Sequence, residues 1–198
     1  MVSAPKDIAT EEADERPLVI GVTGHLDLVA EEVMGIDAAV RALFEDLTKR
    51  FPGRPLKVMS PLAEGADRIV ALIAEDLGIE LVVPLPMPED LYSQDFESSQ
   101  SWAEFGRLLR YASAYTTLPL VPGSSLESIS KHGPERNQQY AEVGAWIAAR
   151  CDILVATWDG KILDDLGGTG QVVKFRREGE MPGYVPHSSA EPTRKIVF

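Results

Sequence analysis

Three turns concentrate residues able to hold an anion or a sugar, and each follows an apolar run. The first is Gly21-Val22-Thr23-Gly24-His25. Its glycines let backbone approach a ligand closely. Thr23 offers a hydroxyl, and His25 can donate to a phosphate or a carbonyl; a plain turn with a polar histidine is the competing reading. The second is Ser60-Pro61-Leu62-Ala63-Glu64-Gly65-Ala66-Asp67-Arg68. Small residues there open a helix whose first N–H groups and dipole favour an anion. Arg68 can clamp a carboxylate or phosphate, or pair with Glu64 or Asp67. The third is Trp158-Asp159-Gly160 followed by Gly167-Gly168-Thr169-Gly170. Its amides and Thr169 can cradle a phosphate, Asp159 can accept from a ribose hydroxyl, and Trp158 can stack on a base or fill the core. It is not a Walker loop, because no Gly-Lys-Ser/Thr follows.

A fourth set opens a later helix. Arg136 and Tyr140 lie one turn apart and share a face, and Asn137 sits beside them; a solvated helix start is the alternative. If a bound nucleotide were cleaved, Glu64 or Asp159 would be the carboxylates to steady an oxocarbenium-like centre or activate water. Metal ligation is not expected, since three scattered histidines and one cysteine form no ligand spacing.

The elements that must position these turns are legible from period. Strands are expected at 18–22, 56–59, 81–83, 115–118 and 153–156, with a short last one at 196–198. Helices are expected at 31–50, 64–77, 102–112 and 135–150, with a fifth after Gly170 ending near Gly179. Ser101 and Glu104 read as a capping box for the third, residues 84–100 as a polar loop, and 181–193 as a proline-containing loop. Alternating strands and helices, with continuously apolar strands, predict an α/β fold: a three-layer Rossmann-like domain with a mostly parallel central sheet and helices on both faces. Ligands then belong at the carboxyl ends of the strands, near the topological switch point.

Composition narrows the class. A chain of 198 residues, 44% hydrophobic, supports one domain, read here as 17–198 after a polar, disordered leader at 1–16. No stretch approaches a membrane span, and the start lacks the form of a secretory signal. One cysteine, Cys151, allows no internal disulfide and suits the cytoplasm; it reads as a small buried filler. With 19 basic and 31 acidic residues the net charge is −12, which argues against general nucleic-acid binding.

The motifs then assemble into a resemblance. Val58-Met59-Ser60-Pro61-Leu62-Ala63-Glu64-Gly65-Ala66-Asp67 resembles the Ser-x-x-Ala-x-Gly-x-Asp turn of the DNA-processing protein A group. Gly167-Gly168-Thr169-Gly170 is similar to the Gly-Gly-x-Gly-Thr signature of the lysine-decarboxylase-like, cytokinin-activating proteins. Both groups belong to the SLOG superfamily of Rossmann-like domains, and the likeness spans about residues 17–179. It implies a nucleotide or nucleotide-derived ligand, with no certain cofactor beyond it, in a sensor or binding domain. The alternatives it carries are a nucleotide N-glycosidase and a single-stranded DNA binder. Relatives often pair, so a homodimer is the assembly it suggests. The phosphoribohydrolase motif continues to a threonine and a catalytic glutamate, where this chain has Gln171 and Lys174. That departure argues against turnover by that route, and the acidic balance argues against DNA.

Overall fold

The computed structural model describes residues 15–161 and 166–179. The expected leader, apart from its last two residues, the 181–193 loop and the strand at 196–198 lie outside the described residues.

Five strands form one sheet: β1 Leu18–Gly24, β2 Leu56–Met59, β3 Glu80–Leu85, β4 Ala114–Thr117 and β5 Ile153–Thr157. The order is β4-β3-β2-β1-β5, and each neighbouring pair is parallel. The chain therefore walks outward from β1 to β4, then returns to the other side of β1. The switch point lies between β1 and β5, in register from Ile20↔Ile153 to Gly24↔Thr157.

Two cores cover the two faces. On one side, β1 sends Leu18, Ile20 and Val22 against the helices α1 Ala30–Arg50, α2 Ala66–Asp76 and α4 Ser99–Tyr111. α1 buries Val40, Phe44 and Leu47, one stripe at helical spacing. On the other side, Met59 and Leu154 pack under α6 Pro134–Arg150 and α7 Thr169–Glu178. There Gly21 leaves room for α6: a Cβ on it would stand 2.7 Å from Ile147 Cγ2 and 2.9 Å from Cys151 Sγ. Gly21 is thus part of strand β1 and a packing position, not a ligand turn. Cys151 is buried, and burial pushes its thiol up to about 11. The fold class read from the sequence stands, and among the described residues every strand pairing is parallel.

Several boundaries differ from expectation. β3 runs through Pro84 to Leu85 rather than ending at Val83. The Val82 carbonyl accepts from Ser60 N–H and the Leu85 carbonyl from Leu118 N–H. Alternate residues thus face opposite neighbours, and Pro84 looks toward β2 beyond the end of that strand, where its missing N–H breaks no ladder bond. The stretch read as loop contains α3 Glu89–Tyr92 and a 3-10 turn, Ser93–Asp95. α4 begins at Ser99 and is capped by Ser98, whose Oγ accepts from Ser101 N–H at 3.1 Å. Ser101 is therefore inside the helix, not its cap. The later loop holds a short helix, α5 Leu126–Ile129, closed by a capping box at Ser125 and Ser128. No helix among the described residues is long and apolar enough to cross a membrane.

Candidate functional site

An open cleft of about 690 Å³ lies at the carboxyl ends of the strands. Its walls come from the segments after β1, β2, β3 and β5 and from one side of α6. Thr23, Gly24 and His25 line it after β1, and Glu64 and Asp67 after β2. Asn137 and Tyr140 line it from α6, and Gly167, Gly168 and Thr169 from the start of α7. The remaining expected positions, Gly21, Ser60, Gly65, Ala66, Arg68, Arg136, Trp158, Asp159 and Gly170, are not among its lining residues.

The β2–α2 turn explains much of that division. Leu62 holds φ of +61°, a costly conformation for a residue with a side chain, and is fully buried. Its neighbours enforce it. Leu62 N–H donates to Ser60 Oγ at 3.2 Å, and Ser60 Oγ donates to the Asp67 carbonyl at 3.1 Å. Arg68 Nε donates to the Leu62 carbonyl at 3.1 Å. Ser60 and Arg68 are therefore staples of the turn. Arg68 also donates to the Ser101 carbonyl at 2.8 Å and stacks 4.3 Å over the Phe96 ring. It faces the protein, not a ligand. Gly65 lets the turn cross beneath the β1 loop: at φ of +77°, a Cβ would fall 2.4 Å from the carbonyl oxygens of both His25 and Leu26. The Ala66 amide is spent on the His25 carbonyl at 3.2 Å. The anion cradle expected at Gly65-Ala66 is thus occupied by backbone.

What this turn does present to the cleft is carboxyl. Glu64 accepts from Ser101 Oγ and, at 3.3 Å, from the Glu97 N–H. Asp67 is 6% exposed, and its Oδ1 has no hydrogen-bond partner. Burial pushes its acid up to about 8, against the smaller opposing effects of the Ala63 N–H and the Arg68 charge.

A second carboxylate, Asp95, went unrecognised in the sequence. It closes the 3-10 turn after β3 and lines the cleft. Arg136 Nη2 donates to its Oδ2 at 2.8 Å, and the Tyr140 hydroxyl donates to the same oxygen. Arg136 Nε donates to the Tyr140 oxygen at 2.8 Å, and its other donors reach the Ile129 and Leu91 carbonyls. The shared face of Arg136 and Tyr140 is real, but Arg136 is 2% exposed and its partner is Asp95. Burial, then the bond to Asp95, raises the Tyr140 hydroxyl above its ordinary range. Asp95 Oδ1 is buried without a hydrogen bond, 4.0 Å from His132 Nε2. The rule that ligands gather after the strands pointed to this loop; its lack of glycine or motif hid the residue.

On the opposite wall, α7 begins at Gly168 with no side-chain cap. Gln171 and Val172 N–H both return to the Gly168 carbonyl, which leaves the Thr169 and Gly170 amides ahead of the first intrahelical bonds. Asp159, expected beside them, is turned to Lys161 Nζ at 2.7 Å. That bond, with the Lys161 N–H, pulls its carboxyl down to about 2. Its backbone N–H donates to His25 Nε2 at 3.3 Å, tying the β5 loop to the β1 loop. Among the described residues no group of three or more His, Cys, Asp or Glu could hold a metal ion.

Sheet order, switch point and layers together define a Rossmann-like α/β domain. No family model matches the sequence, and no curated protein matches it. Among solved structures, DNA processing protein A (DprA) from Streptococcus pneumoniae is similar, with a TM-score of 0.51 at 13% identity. The match covers 81% of this chain and 46% of that chain, so this chain spans a little under half the length of that structure. At this identity the shared property is the fold, a DprA-like one.

Proposed function

We propose that the cleft binds a nucleotide or a nucleotide-derived phosphorylated small molecule. The observation that supports this best is the pairing of unlike walls at the switch point. One wall offers an uncapped helix start for an anion; the other offers buried carboxyl oxygens without partners, suited to base or sugar hydrogen bonds. The cleft volume suits a ligand of that size. Asp27, Glu64, Asp67 and Asp95 line it, and no Lys or Arg does among the described residues. That lining favours a ligand with little phosphate over a polyphosphate. Of the two aromatic residues expected to cover a base, Tyr140 lines the cleft and Trp158 does not, which supports Tyr140 in that part.

Thermal melts with nucleoside mono-, di- and triphosphates, cyclic nucleotides and sugar nucleotides test this. A ligand at ~100 times its dissociation constant should add ~2.7 kcal/mol, roughly 5–11 °C for a domain of this size. No shift with any of them overturns the reading.

The DprA likeness favours a second reading, single-stranded DNA along the same cleft, because that neighbour is by name a DNA-processing protein. Retention on single-stranded DNA that falls steeply with salt would support it. Absent retention at low salt would remove it.

A further inference from the structure

Asp67, on α2 after β2, and Asp95, in the turn after β3, line the same cleft, as does Tyr92. Burial first, and then the charges of Asp67, Tyr140 and Asp95, push the hydroxyl of Tyr92, on α3, well above its ordinary range. Each acid keeps one buried oxygen, Oδ1, without a hydrogen bond. Buried polar atoms in folded proteins are almost always paired, so two orphans lining one cleft mark a place where a ligand completes the set. Their surroundings differ in kind. Asp95 is paired with Arg136 at 2.8 Å and accepts from the Tyr140 hydroxyl. Asp67 has no ion pair among the described residues, and its neighbour Arg68 turns Nε and Nη1 to Leu62, Ser101 and, at 3.6 Å, Glu104, its buried Nη2 making no hydrogen bond. The Arg136 pair marks Asp95 as an acceptor, while burial pushes the Asp67 acid up to about 8.

Building on the nucleotide reading above, we propose that Asp67 and Asp95 together read one uncharged edge of the ligand, Asp67 as donor and Asp95 as acceptor. The carboxyl proton of Asp67 is given to a ring nitrogen or carbonyl oxygen, and Asp95 Oδ1 accepts from the adjacent N–H. An amidine or amide edge of a nucleobase has this acceptor-beside-donor pattern. Recognition then requires Asp67 to keep its proton, so affinity falls as pH rises past the range where that acid ionises. The other titratable or charged groups around Asp67 and across the cleft are Glu64 on the preceding turn, Arg68 and Glu104 behind it, Tyr92, Asp95, Tyr140, His25 and Asp27; His132 stands beyond Asp95.

Calorimetry with adenosine and cytidine monophosphates tests the proposal, each beside the analogue lacking its exocyclic amine. Between about pH 7 and about pH 9 the wild-type affinity should fall about tenfold, following the protonated fraction of Asp67. Asp67→Asn keeps a donor but cannot ionise, so its affinity should stay level over the same range. The amine-free analogues should bind about fivefold more weakly, the worth of one hydrogen bond. A level wild-type profile overturns the proposal. So does a fall that persists in Asp67→Asn, which assigns it to a histidine or tyrosine, and so does equal binding of the analogues. If no nucleotide binds at any pH, the nucleotide reading itself fails. Carboxyl-carbon NMR of the ligand-free protein then decides the remainder: a protonated Asp67 at about pH 7 supports the donor role, and an ionised one overturns it.

Discussion

The β2–α2 turn and the β5–α7 turn begin from the same sequence device, small residues opening a helix, and end with opposite electrostatics. In the first, the Ala66 amide, the Ser60 hydroxyl and the Nε and Nη1 of Arg68 are committed inward. Ser60 and Arg68 hold the strained Leu62, and the Ala66 amide holds the His25 carbonyl. What reaches the cleft is acid: Glu64 and Asp67. In the second, α7 starts without a side-chain cap, and Gly168 and Thr169 form the cleft wall. A helix start is an anion site only where its amides are not already used. Composition does not report that; neighbours do.

Breaking the committed turn should have the largest effect. Arg68→Ala removes a buried cation and leaves the Leu62 carbonyl without its donor. Each buried acceptor stranded in this way typically costs about 1–3 kcal/mol, and Arg68 also serves the Ser101 carbonyl, so the loss should read as a lower midpoint in urea. Gly65→Ala should follow. Positive φ costs about 1–3 kcal/mol, and the clash with two carbonyl oxygens displaces the His25 loop. Melting should drop, and the cleft should lose whatever ligand it holds; an unchanged midpoint would mean the two loops do not cross as described.

Asp67 sharpens the comparison through pH. Its folded-state acid, at about 8, lies above the ordinary carboxyl value near 4. The folded state therefore keeps a proton that the unfolded state releases. The stabilisation is complete below about pH 4 and is lost as pH rises to about 8. Asp67→Asn has no proton to lose, so its stability should gain on wild type across that window, by an amount on the order of a few kcal/mol. Parallel curves for the two proteins would mean Asp67 is ionised in the fold. The smallest expected effect on stability belongs to the open turn. Thr169→Ala should change folding little and weaken a phosphorylated ligand by about 0.5–1.5 kcal/mol, one hydrogen bond. If Thr169→Ala and Asp67→Asn weaken the same nucleotide equally and at every pH, the division into an anion wall and an acid wall fails.

The sequence was a good guide to layers and a poor guide to commitments. Its strand and helix alternation placed Thr23, His25, Asp67, Asn137 and Thr169 correctly on one edge of a parallel sheet, because periodicity reports which face of each element is buried. It could not say that Arg136 and Arg68 turn inward. An arginine at a helix start looks the same whether it meets a ligand or, as Arg136 does, an aspartate forty-one residues earlier in the chain. Asp95 was hidden for the same reason, lying in a loop with no periodic signal.

Residue order alone determined the alternation, the parallel sheet, the acidic balance and the set of turns at its carboxyl edge, since these follow from hydropathy and chain connectivity. Tertiary structure decided which donors remain free, which carboxyl keeps its proton and which arginine is spent. Those outcomes depend on desolvation and on partners remote in sequence, as with Asp67, buried in the first turn of α2, and Asp95, fastened to α6.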